Sequence, residues 1–188
     1  DCGGGSPAVP TPSLPAFERL AIAQQVVSTA LGGLTPGTFA ARSVDTPLSS
    51  LACEQTCSGA TCTVTCPVDE RFDCPGGGTA TDTGAVVGTL DENLTGQATL
   101  EARQTYADCR TDSGITLNGA PHTTATGTAR FVNGALAGEQ SARVTGAVRH
   151  ESPESSGTCA VDLRVTFTPG QGAAAHGTAC GAPVSVAF

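Results

Sequence analysis

Apolar and polar residues alternate over most of the chain after residue 60. In residues 159–167, apolar side chains occupy every second position, and polar or small residues fill the positions between them. The same pattern occurs in residues 142–149 and 180–188. Successive side chains of a β-strand point to opposite faces of the sheet, so this period of two predicts strands with one buried and one exposed face.

Turn signals separate these alternating runs. Five segments rich in Gly, Pro, Asn, Asp and Ser fall between them. They are residues 91–93, 112–114, 133–134, 152–157 and 169–170. Because short turns join neighbouring antiparallel strands, the sequence predicts a mainly β fold: an antiparallel meander of six to eight strands that forms a barrel or a sandwich.

Residues 14–32 have a helical pattern instead. Ser13 is a suitable N-cap, Glu18 lies where the helix dipole favours a negative charge, and the Gly pair 32–33 provides a stop. The apolar residues form one partial stripe, which contains Phe17, Leu20, Ala21, Val27, Leu31 and Leu34. Because Arg19 is the only cation of this segment, we expect the helix to pack on its own domain rather than on a membrane surface.

The chain is short enough to form a single domain. Residues 1–12 are rich in Gly, Ser and Pro, and we expect them to form an N-terminal tether or docking arm. The domain then covers residues 13–188. Within it, the helix at about 14–32 is followed by a Cys-rich hairpin at about 51–67 and by the β meander at about 77–188.

The composition indicates a weak hydrophobic core. Leu, Ile, Val and Phe together make up 35 of the 188 residues, about 19% of the chain. The net charge of −8 is too small for a disordered chain of this length, so another constraint must hold the fold together. The nine cysteines can supply that constraint.

We expect these cysteines to form disulfides rather than a metal site. Their spacing does not match zinc or iron–sulfur motifs, and the three histidines lie far from them in the sequence. Disulfides persist in oxidising compartments, so the protein is expected to be exported. The absence of Met from the chain is consistent with a removed export signal.

Residues that face each other in a β-hairpin have position numbers with a constant sum. For a turn at Gly59-Ala60 the sum is 119, which matches both Cys53–Cys66 and Cys57–Cys62. Cysteines four positions apart in a strand share a face, so this hairpin would hold two stacked disulfides. A helical turn over residues 53–57 is the alternative, and it would redirect both cysteines.

Two further disulfides follow from the turns of the meander. A turn centred on residues 169–170 gives a sum of 339, which matches Cys159–Cys180. Facing residues lie close enough to form a disulfide. The loop at residues 91–93 gives a sum of 184, one more than that of Cys74–Cys109, and a single bulge in residues 75–78 would remove the difference.

Cys2 has no partner in this scheme. A cysteine followed by a Gly-, Ser- and Pro-rich segment resembles the start of bacterial lipoproteins, and the resemblance implies a lipid anchor at Cys2. In that family the cysteine is the first mature residue, whereas Asp1 precedes it here. An intermolecular disulfide through Cys2 is the alternative. If residues 1–12 dock, other copies of the same chain are the expected partner.

The chain also resembles the Thr- and Gly-rich β domains of exported proteobacterial lipoproteins of unassigned function. The resemblance rests on the stretch from Cys74-Pro-Gly-Gly-Gly to Cys109 and on Ile-Thr-Leu-Asn-Gly at residues 115–119. It implies a disulfide-bonded β domain at the outer membrane surface, in the periplasm or outside the cell. It implies no activity.

Signatures of catalysis and cofactor binding are absent from the sequence. There is no GxSxG, HExxH, Walker or GxGxxG motif, so we expect no enzyme activity, no cofactor and no metal. His150-Glu151 adjoins a Ser-rich turn and is expected on the solvated surface. Residues 69–73, which contain three carboxylates, are expected to form a charged loop rather than a calcium site.

Composition excludes two further classes. The chain has no Lys and a pI near 4.6, so it has no basic surface of the kind that nucleic acid requires. No apolar run reaches the length of a membrane-spanning helix.

Two functional hypotheses remain. The first is a non-enzymatic exported structural or interaction protein, either a membrane-anchored surface lipoprotein or a self-assembling extracellular subunit of the filament type. The alternative is a small β-barrel carrier that binds a hydrophobic ligand in its interior. A carrier requires a closed apolar interior, whereas an assembly subunit buries its N-terminal arm against a second chain.

Overall fold

The structure is a computed structural model, and it describes residues 14–32 and 53–188. The predicted arm at residues 1–12 lies outside this part of the chain. The helix of the described residues, α1, spans Ala16–Gly32, which agrees with the prediction. Pro15 accepts the first backbone hydrogen bond of the helix, from the N–H of Arg19 at 3.1 Å, so regular helix begins directly after the proline.

Residues 53–188 contain eleven strands. In chain order they are β1 (Glu54–Ser58), β2 (Thr61–Asp73), β3 (Thr79–Asp91), β4 (Gly96–Ala107), β5 (Cys109–Arg110), β6 (Thr116–Val132), β7 (Ala135–Leu136), β8 (Gln140–Glu151), β9 (Ser156–Thr168), β10 (Gly172–Ala179) and β11 (Ala182–Ala187).

All eleven strands belong to one antiparallel sheet. Its main path runs β1, β2, β3, β4, β6, β8, β9, β10 and β11, and the short strands β5 and β7 pair with β6 beside this path. Each long strand therefore pairs with the next long strand in the sequence. The predicted antiparallel meander, with one N-terminal helix and disulfides, is confirmed.

The prediction of a barrel or sandwich with six to eight strands is wrong. The sheet is open, because β1 and β11 lie at opposite ends of the path. Its strand number is higher because β2 pairs with β3 over its full length, which makes the Cys-rich hairpin part of the sheet. In addition, β5 and β7 have only two residues each, too few for alternation to reveal.

Helix α1 packs on one face of the sheet, which we call the inner face; the opposite face is the outer face. Ile22 and Val26 are fully buried in one cluster with Leu163 of β9. On the other side of the helix, Phe17 and Leu20 are 59% and 42% exposed. The helix packs on its own domain, as expected, and it buries apolar side chains of the sheet without barrel closure or a second sheet.

Two strand registers differ from those predicted. Thr168 of β9 lies opposite Gly172 of β10, so facing positions sum to 340 rather than 339. Leu90 of β3 lies opposite Gly96 of β4, a sum of 186 rather than 184. The β3–β4 turn is longer because the Asp91 carboxylate accepts hydrogen bonds from two backbone N–H groups within it, each at 2.8 Å.

Candidate functional sites

Four disulfides join the pairs predicted from the sequence. They are Cys53–Cys66, Cys57–Cys62, Cys74–Cys109 and Cys159–Cys180. In the β1–β2 hairpin, Cys57 lies directly opposite Cys62, in the register predicted for a turn at Gly59-Ala60. Because residues 54–58 form a strand, the alternative of a helical turn is excluded.

The other two disulfides link a turn to a strand or its end, rather than two facing strand positions. Cys74 follows β2, in a turn whose backbone pairs with Arg110, and Cys109 begins β5. This close pairing requires glycine at position 78, since a Cβ there would lie 1.9 Å from the Asp108 carbonyl oxygen. Cys180 lies in the β10–β11 turn rather than in the predicted strand 180–188. The predicted pairs were therefore correct, although the bulge and facing register that suggested them were not.

Cys2 lies outside the described residues. The four disulfides account for every cysteine from Cys53 to Cys180. No partner for Cys2 is therefore left in that part of the sequence.

A row of polar side chains crosses the inner face of the sheet, and we call it the polar row. Glu70 of β2 lies opposite Asp82 of β3, which lies opposite Gln104 of β4, which in turn lies opposite Thr123 of β6. The last three side chains are at most 1% exposed. The pattern of alternation predicted small or apolar residues at such inner positions.

Hydrogen bonds satisfy one half of the polar row. The Thr123 hydroxyl donates to Gln104 Oε1 at 3.0 Å, and the Tyr106 hydroxyl donates to the same atom at 3.5 Å. Asp82 Oδ1 and Gln104 Nε2 have no hydrogen-bond partner among the described residues. Burial raises the pKa of Asp82 to about 7, Glu70 raises it further by its negative charge, and the Gln104 amide opposes the shift.

Tyr106 connects the polar row to helix α1. Burial raises the pKa of its phenol well above the usual range, and the nearby hydroxyls of Thr123 and of Thr29 in α1 partly oppose that shift. The phenol is therefore neutral at physiological pH and can donate a hydrogen bond. Asp82, Gln104 and Thr123 are thus buried in the domain, and the neighbouring Tyr106 packs in the same apolar cluster as residues of α1.

Glu18 attaches the first turn of α1 to the β8–β9 turn. Its carboxylate, 2% exposed, accepts a hydrogen bond from the Ser152 hydroxyl at 2.8 Å and another from the Ser155 hydroxyl at 2.6 Å. From the sequence alone, Glu18 is expected only to interact with the helix dipole. The contact joins residues more than 130 positions apart, so no local pattern could reveal it.

His150 is buried, so its predicted place on the solvated surface is wrong. It is 5% exposed and lies on the inner face, and neither ring nitrogen has a hydrogen-bond partner within the described residues. The reason is that β8 continues to Glu151, which places His150 two positions beyond Val148 on the same face. Glu151 is exposed, as expected.

Residues 69–73 form the end of strand β2, so the predicted charged loop is also wrong. Alternation places Asp69 and Asp73 on the outer face and Glu70 on the inner face, which separates the three carboxylates. In the parts of the chain that the structure describes, no group of three or more His, Cys, Asp or Glu side chains is placed to hold a metal ion.

The disulfides fit an oxidising, exported environment. None of the helical segments in residues 14–32 and 53–188 is long and apolar enough to cross a membrane. Comparisons with protein families, with curated proteins and with solved structures gave no match.

Proposed function

We propose that this protein is an exported, non-enzymatic interaction domain that is attached through Cys2, either to a lipid or to a second copy of itself. The observation that carries this proposal is the pairing of all eight other cysteines within the domain. A thiol without an intramolecular partner in an oxidising compartment is available for lipid attachment or for an intermolecular disulfide. The location is the outer membrane surface, the periplasm or the extracellular space.

The interior of the domain supports a structural role over catalysis. Asp82, Gln104 and Thr123 of the polar row are each at most 1% exposed, and His150 is 5% exposed. These side chains are therefore inaccessible to a substrate in the folded domain. The hydrogen bond between Thr123 and Gln104 instead connects β6 and β4.

The carrier hypothesis receives less support. A carrier needs a closed apolar interior, whereas the sheet is open and α1 occupies its inner face. Fully buried residues of the helix, such as Ile22 and Val27, fill space that a hydrophobic ligand would need. The surfaces available for interaction are therefore the outer face, the sheet edges and the arm.

Mass spectrometry of the exported protein tests this proposal. We expect the peptide that contains Cys2 to carry either an acyl-lipid mass or a disulfide to a second Cys2 that reductant cleaves. The control is Cys2→Ser, which should abolish membrane association or dimerisation and leave thermal unfolding of the domain unchanged. An unmodified Cys2 thiol in the exported protein would contradict both forms of attachment.

A further inference from the structure

Three basic side chains form a row across the outer face of the sheet. Arg143 of β8 lies opposite Arg164 of β9, and Arg164 lies opposite His176 of β10. All three are exposed. Facing residues in antiparallel strands have Cβ atoms about 5 Å apart, so the three side chains can contact one ligand together. We call them the outer Arg–His row.

The packing of the sheet does not explain why Arg143 and Arg164 face each other. Like charges directly opposite each other destabilise a sheet. Only one of the two arginines has a hydrogen-bonded partner: Arg143 donates two hydrogen bonds to the Asp162 carboxylate, at 2.8 and 2.7 Å. This pair lowers the pKa of Asp162, and the nearby charge of Arg164 lowers it further. Within the described residues, the Arg164 guanidinium has no hydrogen-bond acceptor of its own.

The surroundings of Arg164 are polar. Hydroxyl side chains flank the row on the same face, namely Ser141, Thr166, Thr178 and Ser185. The whole chain has a net charge of −8, so this patch opposes the charge of the rest of the molecule. An exposed guanidinium with five N–H donors, beside an imidazole and several hydroxyls, suits an oxyanion such as a carboxylate, sulfate or phosphate.

We propose that the outer Arg–His row binds the anionic groups of an acidic polysaccharide. An exposed row across three neighbouring strands fits an extended polymer better than a small molecule, which usually requires a concave site. The choice of a polysaccharide rests on the proposed export of the protein, because such polymers surround cells.

A second copy of the chain is a poorer match for this row. On the outer face of β2, Asp69 and Asp73 flank Arg71, so docking there would place arginine against arginine. The Asp91 carboxylate is occupied by backbone N–H groups of its own turn. Neither the Asp69–Asp73 segment nor the β3–β4 turn therefore presents two unopposed carboxylates to Arg143 and Arg164.

Surface plasmon resonance with the full, oxidised chain tests the proposal. The immobilised probes are polygalacturonate, which carries carboxylates, heparin, which carries sulfates, and neutral dextran. We expect salt-sensitive binding to at least one polyanion and none to dextran. Arg164→Gln should weaken binding about two- to fivefold, the upper part of the range expected for one exposed charged contact. Asp162→Asn should strengthen binding, because it removes the carboxylate that competes for Arg143.

Arg71→Gln is the matched control, since it makes the same charge change at an exposed outer-face position of β2. It should alter binding less than twofold, the effect of net charge alone. The proposal fails if the native chain binds neither polyanion, or if Arg71→Gln weakens binding as much as Arg164→Gln. A salt-sensitive dimer that Arg164→Gln abolishes, without polysaccharide binding, would assign the row to a second copy and overturn it too.

The same measurement on Cys2→Ser separates this proposal from the one on Cys2. Binding to a polyanion should be unchanged in that variant, because the outer Arg–His row lies on β8, β9 and β10 and needs no attachment. If Cys2 proves to be a free thiol while the polyanion is bound, only the attachment hypothesis fails. If Cys2 carries a lipid or an intermolecular disulfide but the chain binds no polyanion, the attachment proposal stands and the proposal for the outer Arg–His row fails.

Discussion

The carboxyl of Asp82 lies where β3 otherwise places small or apolar side chains. Ala80 and Val86 share its face and are buried as expected, but Asp82 is equally buried and has an oxygen without a hydrogen bond. Desolvation disfavours the charged form of such a group, which is the main reason for its raised pKa. Its ionisation therefore opposes folding.

We expect the pH dependence of stability to show this effect. The pKa of Asp82 is about 7 in the folded protein and near its ordinary value of 3.8 when unfolded. The folded state thus binds the proton more tightly than the unfolded state does. The stability that this proton contributes is complete below pH 3.8 and is lost as pH rises through 7. Between about pH 5 and pH 8 the free energy of unfolding should fall by about 2–3 kcal/mol from this group.

Asp82→Asn should remove this loss, because the amide stays neutral. Urea denaturation at both pH values provides the measurement. Asp69→Asn, which changes an exposed carboxyl on β2, is the control and should retain the native pH dependence. If Asp82→Asn also retains the full native loss of stability, Asp82 does not ionise near neutral pH in the folded protein.

The sequence could reveal the placement of such residues but not their partners. The alternation within β3 assigns Asp82 to the inner face. Extending the alternation of β8 by one step beyond Val148 assigns His150 to the same face. The partner of Asp82 depends on strand register, and Gln104 and Thr123 come from strands much later in the chain. Register in turn depends on turn length, which composition alone does not determine.

Among the structural elements, hairpins with minimal turns were the most predictable. The β1–β2 register was predicted correctly because only Gly59 and Ala60 separate the paired strands. Gly59 has the positive φ of 64° that a tight turn needs. The β3–β4 register was shifted because the Asp91 side chain stabilises a longer turn. A side chain that bonds to backbone N–H groups thus changes register across the whole strand pair.

The position of α1 on the sheet was not predictable from local pattern. Its contact with the β8–β9 turn depends on Glu18, whose carboxylate accepts hydrogen bonds from Ser152 and Ser155. Removing one partner of a buried hydrogen bond leaves the other partner unsatisfied. The resulting loss of stability exceeds the net contribution of the bond itself. Stability should therefore be sensitive to either side of this contact.

A double-mutant cycle measures the attachment of α1. Glu18→Ala and Ser155→Ala should each lower the free energy of unfolding by about 1–3 kcal/mol. The double variant should lose less than the sum of the two, with a coupling of about 1–2 kcal/mol, because both remove the same hydrogen bond. Glu154→Ala, an exposed neighbour, is the control and should change stability by less than about 0.5 kcal/mol. Additive effects of the two single variants would show that Glu18 does not hold the turn.

An open sheet leaves two edges, and one of them is partly blocked. Phe188 and Ala173 exchange backbone hydrogen bonds, and hydrogen-bonded pairs alternate along antiparallel strands. Pro183, opposite Thr178, therefore belongs to a non-hydrogen-bonded pair, and its backbone nitrogen faces the free edge of β11. Because proline has no N–H to donate there, this edge is a poor template for another strand, and interaction through the arm or the outer face is favoured.

At the scale of the whole molecule, the disulfides compensate for the weak core. The four bridges join residues separated by 5 to 35 positions, for which chain-entropy estimates give about 2 to 4 kcal/mol each. Their combined effect is comparable with the net stability of a typical domain, about 5–15 kcal/mol. Three of the bridged cysteines, Cys74, Cys109 and Cys159, also lie in the same buried cluster as α1.

Full reduction should therefore unfold the chain, whereas loss of one short-loop bridge should not. After reduction and alkylation we expect circular dichroism to show loss of the sheet and limited proteolysis to cleave throughout residues 53–188. The control is the double variant Cys57→Ala/Cys62→Ala. It removes an exposed bridge with a separation of only 5 positions, so it should lose about 2 kcal/mol or less and stay folded. A reduced chain that still unfolds cooperatively would mean that α1 and the inner face form a sufficient core, and the stability assigned to the disulfides would then be too large.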